Sequence, residues 1–281
     1  MRIRSINRPL AVTFISAVLA ACGGGDNRDS RGAAGVGASV PVPVPAPIAQ
    51  APSAAPDPTR KLAQCLNRAS FNSGTVETAE YRDTSGFVTS TVSTRQAISG
   101  PVPLNVLQLQ RADLRTVTTV PGASTTTQDD FQLLSLLGDD AFSYQVTYLY
   151  AASASLPAGS VTVIFDQPLL VIPGSLTLGA TRTLTSGATM TDSRTNSSAR
   201  LNYTQSFTFD AIETVTVAAG VFPNACRVLS RVDITGDFGR DSSSDTRWNA
   251  AISGVQLRSV SNGSVTSELL SATFNGAPVT P

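Results

Sequence analysis

The sequence contains no histidine. That absence removes Ser-His-Asp and Cys-His nucleophilic catalysis, the paired-histidine helix of metalloproteases and the usual zinc sites. Lys61 is the only lysine, and Glu77, Glu80, Glu213 and Glu268 are the only glutamates among 281 residues. Both residue types favour helices, so their scarcity argues against a helical protein. Lys plus Arg and Asp plus Glu number 20 each, with no basic patch of the kind that binds nucleic acid. There is no Gly-x-Ser-x-Gly elbow for a nucleophile. The acidic stretch Gly239–Asp245 lacks the ligand order and closing Glu of a calcium loop and is read as a solvated hairpin loop. The pairs Asp129-Asp130 and Asp139-Asp140 sit at strand ends or turns, where Asp bonds its own backbone. No enzyme activity, metal or cofactor is therefore expected. What is plentiful is threonine, serine and valine, the composition of strands.

The longest apolar run, Leu10 to Ala20, is interrupted only by Thr13 and Ser16. It is shorter than the roughly 20 residues that a permanent membrane span requires. Arg2, Arg4 and Arg8 precede it and Leu19-Ala20-Ala21-Cys22 closes it, the layout of an export signal. A cysteine directly after small residues resembles the signal of bacterial lipoproteins. The resemblance implies cleavage before Cys22 and acylation of that cysteine, palmitate included. Acyl chains contribute about 0.8 kcal/mol per buried methylene, so several of them make a near-permanent membrane anchor. Gly23 occupies the position where an Asp often retains such proteins at the inner membrane, so the resemblance points to the periplasmic face of the outer membrane. Residues 1–21 are read as the signal. Without its three arginines the mature chain carries 17 basic against 20 acidic side chains.

Residues 22–58 are read as the lipidated cysteine and a linker. It opens with Gly23-Gly24-Gly25 and reaches Pro41-Val42-Pro43-Val44-Pro45, a semi-rigid extended spacer with too little apolar bulk to build a core. Residues 59–281 are read as one periplasmic domain. With Cys22 acylated, Cys65 and Cys226 remain as an even pair in an oxidising compartment, and a disulfide between them is expected. It would close a loop of about 160 residues, for which chain entropy gives roughly 4–5 kcal/mol.

Within 59–281, Leu62, Cys65 and Leu66 share a face at i, i+3, i+4, which predicts a short helix over Arg60–Ala69. Period-2 alternation then takes over in about twelve segments, among them 199–209, 212–218 and 245–259. Pro121-Gly122, Gly138-Asp139, Pro157-Ala158-Gly159, Pro173-Gly174 and Asn262-Gly263 separate strands as turns. The expected fold is all-β, a large curved antiparallel sheet (half-barrel or barrel-like) with a short N-terminal helix. Phe142, Tyr144, Val146, Tyr148 and Tyr150 alternate with polar residues, as do Leu201, Tyr203, Phe207 and Phe209, and Cys226, Val228, Val232, Ile234 and Phe238. Cys226 is thus in phase with an inward face. If the sheet encloses a space, Tyr144, Tyr148, Tyr203, Phe207 and Trp248 are candidates to line an apolar ligand cavity. If a second layer covers these residues, they are core.

Glu213-Thr-Val-Thr-Val-Ala-Ala-Gly-Val-Phe222, Trp248, Gly254-Val-Gln-Leu257 and Glu268-Leu-Leu270 together resemble a periplasmic and lipoprotein domain family. Its signature is Val-x-Val-Pro-Ala-Gly-x-Phe, followed by Gly-Val-Gly-x-Val and a Glu-Leu strand. Ala218 stands where the family has proline and Gln256 where it has the second glycine. The resemblance covers about 60 residues and implies a half-barrel like that of lipoprotein-localisation factors, with no catalytic residues. Ala219-Gly220 would form the turn between two strands and Phe222 would plug the core. Two functions follow as expectations. One is a carrier of an apolar ligand; the other is an envelope structural or protein-interaction module, bound to its partner through a strand edge.

Overall fold

The computed structural model describes residues 59–281 except 124, 154–156 and 238. The signal, Cys22, the linker and Phe238 lie outside the described residues. The strands are β1 (Val76–Ser85), β2 (Val88–Leu104), β3 (Leu107–Thr119), β4 (Thr126–Leu137), β5 (Asp140–Tyr150), β6 (Gly159–Pro173), β7 (Thr181–Asp192), β8 (Ser197–Val217), β9 (Gly220–Gly236), β10 (Gly239–Asn249), β11 (Gln256–Ser261), β12 (Val265–Phe274) and β13 (Ala277–Pro278). Each pairs antiparallel with the next in sequence, as short turns between alternating segments require.

β1 also pairs with β12, from Glu77 opposite Phe274 to Ser85 opposite Val265. This corrects the half-barrel expectation: the first twelve strands close on one another into a full barrel. Closure satisfies the backbone of both terminal strands, which an open sheet would leave exposed. β13 is a short hairpin return on β12.

The predicted helix over Arg60–Ala69 is not formed. In its place are two 3-10 turns, Leu62–Cys65 and Arg68–Phe71. Backbone groups of the segment are engaged by distant loops instead, including the Arg60 and Gln64 carbonyls that a helix would use internally, which accept from Leu178 and Ile252. Leu62 N–H donates to the Leu176 carbonyl and Ala63 N–H to that of Gly174. The Asn67 side chain accepts from Ala69 N–H, a local bond that competes with helix. Two predicted strands, 199–209 and 212–218, are one strand, β8, bent at bulges near Phe209/Ala211 and Glu213/Val215. The predicted strand 245–259 is divided into β10 and β11 by residues 250–255, and the predicted loop Gly239–Asp245 is the first half of β10.

Register assigns the inward face. Asp130 stands opposite Tyr148, Tyr148 opposite Val161, and Val163 opposite Met190. Tyr203 stands opposite Ile234 and Phe209 opposite Val228. The inward residues of β5–β9 form the largest core cluster, which also holds Leu62 and Cys65. A second cluster sets Tyr81, Val92 and Leu269 of the β1, β2 and β12 wall against Val215, Val217 and Phe222 from the tip of the β8–β9 hairpin. The bulges in β8 let that tip lean across the barrel, where Ala219 N–H donates to the Leu269 carbonyl. A third cluster packs Phe71 against Ile98, Leu134 and Ile172. One end of the barrel is thus stoppered by the N-terminal turns, the β8–β9 tip and the β10–β11 loop.

Candidate functional site

The stopper is tied down covalently. Cys65 and Cys226 are bonded, with S–S 2.01 Å and Cα–Cα 6.0 Å, and both are fully buried. The bridge fixes the first 3-10 turn against β9. Ile252 N–H donating to the Gln64 carbonyl fixes the same turn to the β10–β11 loop.

Of the five residues nominated as a cavity lining, Tyr148, Tyr203 and Phe207 meet at one core cluster, while Tyr144 and Trp248 lie apart from it. Tyr203 and Phe207 are core residues, and Phe165 meets the Tyr203 ring edge-on at a centroid distance of 5.3 Å. Tyr148 is inward and packs against the same cluster. Tyr144 is out of phase with it, because Leu133 pairs with Gln145 but Leu134 with Ser143. That bulge puts Ser143, fully buried, on the inward side in its place. The Tyr144 hydroxyl instead lies 3.4 Å from Ser135 Oγ. Trp248 is half-buried and packs against the second core cluster, not the first. Its indole N–H donates to Glu213, and Arg258 lies 5.4 Å above its ring.

The interior also holds a polar group that periodicity did not reveal. Asp130, in phase with Tyr148, accepts from Gln128 Nε2 at 2.8 Å. Burial pushes its carboxyl up to about 6, and the neighbouring Asp129 charge adds to the rise. Burial also raises the phenols of Tyr148 and Tyr203, and for Tyr148 the nearby Asp130 charge acts in the same direction. Gln205 is fully buried with neither amide atom hydrogen-bonded, and Gln132 Oε1 is likewise without a partner.

The described voids lie elsewhere, at the stoppered end. One of about 50 Å³ is lined by Glu77, Tyr81, Gln96 and Gln256 among others. A second of about 20 Å³ shares Glu77 and Gln96 and reaches Phe71 and Gly254. Burial raises the Glu77 carboxyl, and a hydrogen bond from Ser70 opposes the rise. The larger void has room for roughly three to five waters, against about 300–1,000 Å³ for a small-molecule site. Glu77 was not among the sequence candidates. The available signal was its phase with Ala79 and Tyr81 on β1. Among the described residues no group of three or more His, Cys, Asp or Glu could hold a metal ion. No described helix is long and apolar enough to cross a membrane.

No protein-family model matches the sequence, and no curated protein matches it. Two solved structures show a distant likeness. One is a candidate lipoprotein of Parabacteroides distasonis, at 11% identity and TM-score 0.37. The other is a candidate exported protein with a YmcC-like fold from Bacteroides fragilis, at 10% identity and TM-score 0.37. In both cases the match covers 72% of this chain and 96% of the other. A likeness at that score supports no statement about what this chain does.

Proposed function

We propose that this chain is a non-enzymatic, lipid-anchored barrel of the bacterial envelope. In this reading it is tethered through Cys22 on the periplasmic face of the outer membrane. It acts through its outer surface on other envelope components and does not enclose an apolar ligand. The observation that supports surface over cavity is the filled interior. Tyr203 and Phe207 are packed into the largest core cluster, and the larger described void, about 50 Å³ at Glu77, lies away from them. The support for the anchor is the run Leu19-Ala20-Ala21-Cys22 behind an apolar stretch and three arginines.

Two measurements test the two halves. Metabolic labelling with palmitate should mark the wild-type chain and fail on Cys22→Ser; label that persists in the variant would refute the anchor. Native mass spectrometry of the barrel, isolated from a periplasm without its lipid, should give the bare polypeptide mass less two hydrogens. A bound mass removed by organic extraction would overturn the surface reading and make the chain a carrier.

A further inference from the structure

The turns β2–β3, β4–β5, β8–β9 and β10–β11 all lie at the stoppered end, and each carries or adjoins an exposed apolar side chain, whereas among the described residues the opposite end exposes such side chains at one turn, β1–β2, with Phe87 and Val88. Val106 is 95% exposed on the β2–β3 turn with Leu107 beside it, Leu137 is 73% exposed on β4–β5, and Ile252 is 84% exposed on β10–β11. Val221, beside the β8–β9 turn, is also exposed. The first two turns are neighbours, since β3 and β4 pair down to Gln110 opposite Leu134. Ile252 has φ +67°, a left-handed conformation that β-branched residues rarely adopt. A residue held there and also left in water is unexplained by packing.

The N-terminal segment adds cations to the stoppered end, where Asp140 is paired with Arg182. Arg60, Lys61 and Arg68 lie on the segment that forms the stopper, with Asp139 as the partner of the last two. The opposite end carries Asp192, Asp237 and Asp241, with Arg194 and Arg240 held by Asp192 and Asp233. The described chain also enters at the stoppered end. Lys61 bridges Thr177 in the β6–β7 connection, and Leu178 N–H donates to the Arg60 carbonyl. The described chain thus begins, at Thr59, on that side of the barrel.

We infer that the stoppered end is a membrane-contacting face that rests on an anionic phospholipid surface. The inference builds on the anchor reading above but does not need the lipid to be tested. Val106, Leu107, Leu137 and Ile252 enter the headgroup boundary, while Arg60, Lys61 and Arg68 lie beside anionic headgroups. The tether keeps the barrel near the bilayer, and the apolar tips set which end faces it. The opposite end is then turned toward the periplasm and its partners.

The test uses the full mature chain with Cys22→Ser, exported behind an unrelated secretory leader so that it carries linker and barrel but no lipid. It is sedimented with vesicles of phosphatidylethanolamine and phosphatidylglycerol. Binding is expected, and it should weaken on phosphatidylcholine vesicles and at high salt. The double variant Val106→Asp/Leu137→Asp should bind roughly tenfold less, since each exposed tip loses its apolar transfer. Phe87→Asp, at the opposite end and fully exposed, should bind like the parent. No binding to the anionic vesicles, or an equal loss with Phe87→Asp, would overturn the inference. Because no variant here is acylated, that failure is distinguishable from a failure of palmitate labelling, which bears on Cys22 alone.

Discussion

The Cys65–Cys226 bridge offers the sharpest quantitative test. Its two cysteines are separated by 161 positions, most of the described chain. Cross-linking so large a loop restricts the unfolded ensemble by about 5 kcal/mol in the chain-entropy account. For a domain of this size one kcal/mol moves the melting midpoint by about 2–4 °C, so Cys65→Ala/Cys226→Ala should melt roughly 10–20 °C lower. The unfolded variant is less compact, so its denaturant slope should rise as well. Trp248 is the only tryptophan and donates to Glu213 on β8, so its emission reports the transition. Because both sulfurs are fully buried, a reductant added to the native protein should act only as fast as the stopper opens. The opposing account is that the bridge holds only the N-terminal turns in place. In that case residues 60–71 would exchange their amides faster while the global midpoint and the slope stayed where they were. That result would refute the entropic argument.

Three further outcomes follow from the interior. Gly174→Ala should destabilise the fold by about 2 kcal/mol or more, because a methyl there meets the Asp139 carbonyl and the Leu66 side chain, and backbone cannot swing aside; a midpoint equal to wild type in thermal unfolding would count against that packing. Asp130 has its folded carboxyl pushed up to about 6 by burial, against the usual 3.8. The native state then holds the proton at pH values where the unfolded chain has lost it, so this group's contribution to stability is present at low pH and is lost as pH rises through the folded value. Asp130→Asn should gain about 1–2 kcal/mol over wild type above neutrality, screening allowed for, and little near pH 4; equal denaturation curves for the two proteins above neutrality would contradict it. Gln205→Met removes two buried amide atoms without partners and should raise the melting midpoint by a few degrees, about 1–2 kcal/mol; a fall would mean that the amide is satisfied by buried water.

The local features of this fold were legible and the long-range ones were not. Alternation on β5 and β8 and the turn residues at 121–122 and 262–263 announced an antiparallel meander, because period 2 and turn chemistry act between neighbours. Closure was not announced. Thr78 and Thr273 hydroxyls lie 2.7 Å apart across the β1–β12 seam, and nothing in either segment names the other. Bulges were equally silent. Tyr144 reads as one member of an aromatic stripe, yet one extra residue in the ladder moves Ser143 into its phase. The N-terminal turns failed for a related reason: Leu62, Cys65 and Leu66 have helical spacing, but the Leu62 and Ala63 backbone donors are satisfied by a loop more than a hundred residues away.

The same long-range features are what favour the proposed surface role over a carrier. An aromatic stripe on a curved sheet becomes a ligand cavity only if nothing else fills the space in front of it. Here the β8–β9 tip, bent at its bulges, brings Val215, Val217 and Phe222 across to the β1 and β12 wall. The N-terminal turns bring Leu62 and Cys65 to the β5–β9 wall and Phe71 to the β2–β6 wall. Each is an insertion of apolar side chains into the lumen from one end, and the disulfide locks the insertion. A barrel built to exchange an acyl chain would need that end, or the other, to open at little cost. This one closes one end with a bridge, two hydrogen-bonded turns and a folded-over hairpin, and sets the polar side chains of Asp130, Gln132 and Gln205 along the interior, to which an acyl chain offers no hydrogen bond. The proposed surface role accordingly rests on the outside of the barrel, where four turns at the stoppered end expose apolar side chains.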